Sequence, residues 1–321
     1  MKKFSRTIGL TLFLIIIVAT TAGAVTLIPG GQVIGLTLED DTVTVVDFDP
    51  TLGANAQAAG LEKGDRIVKI GSERVCCAED VHQALRQCAD RVELSVERNG
   101  KVKKMTVAPT ITADGPKLGV YLRQGMTGLG TVTFYNPNTG ALAALGHGVN
   151  SQKGELVRLK KGSIYPARVA GVKKGCVGAP GQLLGSVTQT DAIGALVRNT
   201  DRGVFGKTSL SVTGTPLPVA SCEEIHTGAA TIRSTVAGES LREYSVEILK
   251  IYPKASGRTR NMLLRVTDPA LLEATGGIVQ GMSGSPIIQD GKLIGAVTHV
   301  LVNDPTTGYG IFIENMLDAA A

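Results

Sequence analysis

GIVQGMSGSPIIQDGKLIGAVTHV, residues 277–300, decides how the rest of the chain is read. Gly281 and Gly284 bracket Ser283, and the apolar runs PII and KLIGAV flank Asp290-Gly291, a dipeptide that closes tight hairpins. A serine hydroxyl attacks an acyl carbon only if a base takes its proton and donors receive the charge that develops on the acyl oxygen. Glycines on both sides allow a concave turn in which the amides of Gly281 and Ser283 point at one spot, the outline of an oxyanion pocket. The same string also serves as an ordinary tight turn, since small residues fill many of those.

A base narrows the choice. The chain has four histidines. His82 falls on a helical stretch, His226 in a polar segment, and His299 at the end of the strand that follows the serine. His147 ends the apolar run ALAALGHGV between two glycines, which would present its imidazole at the rim of a sheet. It is the expected general base, with His299 the runner-up; a histidine that only satisfies a backbone carbonyl is the plainer alternative.

Composition limits the classes. With 321 residues, 43% hydrophobic and 19% charged, the chain can bury more than one core. Forty glycines, 4% aromatic residues and many short Val/Ile/Thr runs imply a mainly β protein with few, short helices. Three of the 33 basic residues, Lys2, Lys3 and Arg6, precede an uncharged run from Thr7 to Ile28. That run reads as an export signal cut near Ala22-Gly23-Ala24 or as a membrane anchor, and either places the remainder outside the cytoplasm. No basic stripe with interleaved aromatics is present, so nucleic acid is not an expected partner. The cysteines, Cys76, Cys77, Cys88, Cys176 and Cys222, have no paired C-x-x-C spacing, which speaks against a zinc site or a disulfide scaffold. Buried free thiols are expected, with one bridge from Cys76 or Cys77 to Cys88 the alternative. No metal or organic cofactor is indicated.

Three regions follow along the chain: a signal or anchor over 1–28, a mixed unit over 29–110, and a β-rich region over 111–321. In the second, Val81, Ala84, Leu85 and Cys88 fall at helical spacing and Asn99-Gly100 marks a hairpin. Its stretch AGLEKGDRIVKIGSERV resembles PDZ domains attached to exported bacterial proteases. That resemblance implies an added peptide strand whose end is held by the loop Gln32–Leu36, with Val33, Ile34, Gly35 and Leu36 as binding residues. In the third region strand and turn alternate as a barrel or pair of barrels requires.

GTVTFYNPNTGALAALGHGV, GAPGQLLG and the long run from Gly277 to Leu317 together resemble the stage IV sporulation protein B family, self-cleaving serine peptidases of endospore-forming bacteria. The resemblance implies a PDZ domain followed by a chymotrypsin-like double β-barrel, with Ser283 as nucleophile, His147 as base and Asp268 as the acid that orients it. It also implies an exported enzyme, in the space between forespore and mother cell, that cuts itself and a membrane-bound regulator of an intramembrane protease. Asp268 carries a second reading: in TDPALLEATGG it is an N-cap with Pro269 at the first helical position and Gly276 as the stop. Asp191 and Asp201 lie where chymotrypsin-like enzymes more usually keep their acid. An idle PDZ-centred adaptor and a general envelope quality-control protease are the competing functions.

Overall fold

A computed structural model describes residues 25–321 apart from 89, 152–153 and 253–258. The expected signal or anchor falls mostly on residues 1–24, outside the described residues. Among the described residues no helix is long and apolar enough to cross a membrane.

Two sixteen-residue strands, Val33–Phe48 and Val120–Tyr135, form the spine of the molecule. They pair antiparallel twice over, Val33↔Thr131 through Leu38↔Met126 and then Val43↔Gln124 through Phe48↔Val120, with an irregularity between. Gly125 sits at that break with φ +72°, and a Cβ there would lie 1.9 Å from the carbonyl oxygen of Leu38. Only glycine permits so close a backbone approach.

Beyond the break, Val43–Phe48 continues into the sheet formed by Arg66–Ile70, Val92–Arg98 and Lys101–Val107. Helix Ala78–Arg86 closes this unit, its apolar stripe of Val81, Ala84 and Leu85 buried against Val43, Ile67, Leu94 and Val96. The Asp80 carboxylate accepts from the amides of Cys76 and Cys77 and so satisfies donors at the helix start. Asn99 and Gly100 both have positive φ, the backbone that a two-residue hairpin demands. All five cysteines are thiols but, against expectation, none is buried: Cys176 is exposed and the other four are half-buried, and Cys88 Sγ donates to the carbonyl of Ala84.

On the near side of the break, the two long strands enter a ring. Val120–Tyr135 pairs with Ala141–Ala144, that with Gly203–Thr208, then Gly194–Thr200, then Lys161–Lys173, which returns to Val33–Phe48. A second closed barrel is formed by Gly228–Thr235, Leu241–Ile251, Met262–Val266, Asp304–Phe312, Lys292–Leu301 and Pro286–Gln289. The rings meet along an apolar seam in which Leu27, Phe134 and Phe205 pack with Leu293, Ile311, Ile313 and Met316. The mainly β architecture with a helix-bearing unit and barrels is thus present, but the units interleave. Residues 33–38 belong to the first ring and 120–124 to the helix-bearing unit, because each long strand serves both.

This arrangement corrects the reading of Val33, Ile34, Gly35 and Leu36 as a peptide-binding loop. Ile34, Gly35 and Leu36 pair with Lys161–Lys173 on one side and all four pair with Val120–Tyr135 on the other. Val33, Ile34 and Leu36 are buried, the last two in the core of the first ring. Along 34–36 the strand offers no open edge or free amide loop to a peptide end.

Candidate active site

Ser283 lies in a loop between helix Pro269–Thr275 and strand Pro286–Gln289. Gly281 and Gly284 have φ near +99° and +98°, and a Cβ on Gly284 would meet Thr131 O at 2.1 Å and Leu145 N at 2.5 Å. Met282 N donates to Val279 O and Gly284 N to Val297 O. Among the described residues the amides that alternate with these, those of Gly281 and Ser283, have no acceptor. Two amide donors in a turn, unspent on the protein, are what an oxyanion needs. The Ser283 hydroxyl donates to the carbonyl oxygen of Thr298 at 2.7 Å. Thr298 is the extra residue of a bulge between Val297 and His299, out of register with Asp304–Phe312, although its hydroxyl donates to Tyr309 O there.

His147 reaches the site by a strained turn. Strand Ala141–Ala144 is followed by Leu145, whose φ of +71° is unusual for a residue with a branched side chain, and Gly146 follows at +67°. A left-handed non-glycine residue costs about 1 kcal/mol or more, and here it aims the next imidazole into the cleft. His147 Nδ1 lies 2.9 Å from Gly148 O. A proton on Nδ1 donated to that carbonyl leaves Nε2 as the basic nitrogen. Burial holds the His147 pKa below its ordinary value, with the Gly148 contact working in the opposite direction.

His147 and Ser283 line one cleft of about 560 Å³ at the junction of the two rings, together with Leu36, Met126 and Leu129 from one side and Thr298 and His299 from the other. The His147 and His299 rings have centroids 5.1 Å apart. His299 Nδ1 is buried without a hydrogen-bond partner. Burial, then the charges of His147 and Arg260, push its pKa down to about 4. Charge on His147 opposes a proton on His299, so the two rings titrate as a coupled pair.

Asp268 is not in this cleft. Its carboxylate accepts from Leu271 N at 3.0 Å and from Ser245 N at 3.3 Å, and it is the N-cap of helix Pro269–Thr275, with Pro269 following and Gly276 in the left-handed conformation. The acid expected from family resemblance is therefore spent on backbone amides, and the capping reading describes its position. Asp191 and Asp201 are exposed and also outside the lining. Among the described residues no carboxylate lines the cleft. His82 is exposed on its helix, and His226 pairs at the surface with Asp290, 2.8 Å away. Neither joins the site. Thr131, which touches both the serine loop and the histidine turn, escaped the sequence reading; its one trace there is a polar residue alternating with Val132 and Phe134 in an apolar strand.

Comparison with known proteins adds the following. The family model described as SpoIVB peptidase S55 matches residues 114–317, and a PDZ domain model matches residues 33–108. The second match includes 33–38, which the tertiary structure places in the first ring. A Staphylococcus aureus protein named as a zinc metalloprotease is 41% identical over 58 residues, 18% of this chain and 14% of its own length. A Brucella suis protein of the same description is 29% identical over 102 residues, 30% of this chain and 27% of its own. The chain thus spans about a quarter or less of the length of these curated relatives. Among solved structures, the active form of the Rv3671c protease from M. tuberculosis aligns with 17% identity and a TM-score of 0.38 over 60% of this chain and 72% of that one. Its inactive form aligns with 15% identity and a TM-score of 0.35 over 59% and 81%.

Proposed function

The chain belongs to the SpoIVB peptidase S55 family and is a serine peptidase, and from that membership we propose that Ser283 is its nucleophile and His147 its general base. The observation that carries this reading is the convergence in one cleft of a serine, a histidine with its Nδ1 on a carbonyl, and two unspent amides. Attack begins when the Ser283 hydroxyl turns from Thr298 O toward His147. Nε2 takes the proton as Oγ bonds to the acyl carbon, and the Gly281 and Ser283 amides receive the charge on the oxygen. The imidazolium then gives that proton to the leaving amine. Water adds to the acyl-enzyme with His147 again as base, and the free acid departs.

In this reading the enzyme is an exported endopeptidase with few target sites. It cuts itself and a membrane-bound regulator, and so releases an intramembrane protease to activate a mother-cell sigma factor during sporulation. Family membership, the PDZ match and the apolar amino-terminal run support this; the unit carrying helix Ala78–Arg86 would meet the partner protein.

Mass spectrometry of the full chain and of Ser283→Ala, each incubated with a serine-directed phosphonate, tests the proposal. Self-trimming and a label at Ser283 in the first protein alone is the expected result. An unlabelled, intact wild type, together with a Ser283→Ala variant that still supports sporulation, would replace the peptidase reading with that of an adaptor. Degradation of casein at many sites would replace the signalling role with quality control.

A further inference from the structure

Thr131 lies in strand Val120–Tyr135, fully buried, and is not among the residues that line the cleft. It nevertheless makes three hydrogen bonds to the two loops that carry the chemistry. Its hydroxyl donates to Gly281 O at 2.7 Å and its amide to Ser283 O at 3.2 Å. Its carbonyl accepts from Leu145 N at 3.2 Å, the strained residue two before His147.

The effect is clearest when the serine loop is taken as successive peptide planes. The plane of Gln280 O and Gly281 N is held by Leu183 N, which donates to Gln280 O. The plane of Met282 O and Ser283 N is held by Ser285 N, which donates to Met282 O. A peptide's carbonyl and N–H point in opposite directions, so tying each of these carbonyls turns the corresponding amide to the other side. The two alternate planes carry Gly281 O and Ser283 O, and both are tied to Thr131. Those two planes are also held from their N–H ends, by Met282 N on Val279 O and Gly284 N on Val297 O, so Thr131 supplies the second tie that fixes the direction of each and with it that of the two free amides.

We propose that Thr131 is a positioning residue for this peptidase: it sets the oxyanion pocket of Gly281 and Ser283 and couples it to the turn that delivers His147. The inference rests on the reading of Ser283 as nucleophile. Precise placement of donors is where much of the rate of acyl transfer originates, so a small rotation of either amide is costly.

The test compares full-length wild type, Thr131→Val, Thr131→Ser and Ser283→Ala, using hydrolysis of a p-nitrophenyl ester and the rate of labelling by a serine-directed phosphonate. Valine keeps the shape and the backbone bonds and removes only the hydroxyl. Thr131→Val is expected to lower kcat by about tenfold or more with KM within about twofold. Its phosphonate labelling should slow in parallel, and Thr131→Ser should restore both. Wild-type kcat in Thr131→Val beside an inactive Ser283→Ala would leave Thr131 a purely structural residue and overturn the proposal. Turnover and labelling that persist in Ser283→Ala would instead overturn the nucleophile assignment beneath it. If Thr131→Val does not fold, Thr131→Cys, with its weaker donor, replaces it; equal turnover in the cysteine and serine variants would then be the contrary result.

Discussion

The imidazoles of His147 and His299 face each other across the cleft with centroids 5.1 Å apart and ring planes inclined at 41°. One comes from the turn after Ala141–Ala144 in the first ring and the other from Lys292–Leu301 in the second, so the pair spans the junction of the two barrels. His147 has a tautomer set by Gly148 O, whereas His299 Nδ1 has no partner.

That asymmetry assigns different weights to the two residues. His147→Ala should be as inactive as Ser283→Ala, a loss of about three orders of magnitude or more in kcat, because the two act as a unit. His299→Phe keeps an apolar wall beside His147 and should cost less than about tenfold. Ester hydrolysis by both variants decides the matter, and the reverse order of loss would make His299 the base.

The pH dependence follows from the same burial. Both histidines have folded pKa values below their ordinary 6.5, His299 down to about 4. At these two groups the folded state therefore binds fewer protons than the unfolded chain, and the stability they contribute is fully present above pH 6.5 and falls as the pH drops toward 4. A thermal-unfolding series over that range should show the decline, and His299→Phe should flatten it. The acid limb of kcat/KM should lie below the position of an ordinary histidine, since protonated His147 cannot accept the serine proton.

Asp268→Ala removes the acceptor of Leu271 N and should cost about 1 kcal/mol of stability. Asp268→Asn retains a capping oxygen and should keep both the thermal midpoint and turnover near wild type. A fall of orders of magnitude in turnover for the asparagine variant, with an unchanged midpoint, would instead return Asp268 to the catalytic machinery.

Gly284→Ala should abolish phosphonate labelling. The added methyl group would meet the backbone of Thr131 and Leu145, neither of which can yield as a flexible side chain would. Labelling at the wild-type rate would mean that the loop can retreat from Thr131 without harm to the site.

Much of the local structure is legible in the chain. Asn99-Gly100 supplies positive φ at both positions of a hairpin, and Asp268-Pro269 with Gly276 spells out a helix from cap to stop. Such features depend on a residue and its nearest neighbours, whose steric and hydrogen-bonding preferences travel with the sequence. The glycine-bracketed serine and the histidine between glycines were visible for the same reason. Other features depend on partners far along the chain. Whether Ile34–Leu36 is an open loop or a doubly paired strand depends on residues 128–130 and 164–166, which pair with it from either side. The choice between capping and catalysis for Asp268, the approach of His299 to His147, and the three bonds of Thr131 likewise exist only once two barrels have closed and met. Residue types and spacing determined which groups could do the chemistry; closure of backbone hydrogen bonds across more than a hundred residues decided which of them share a cleft.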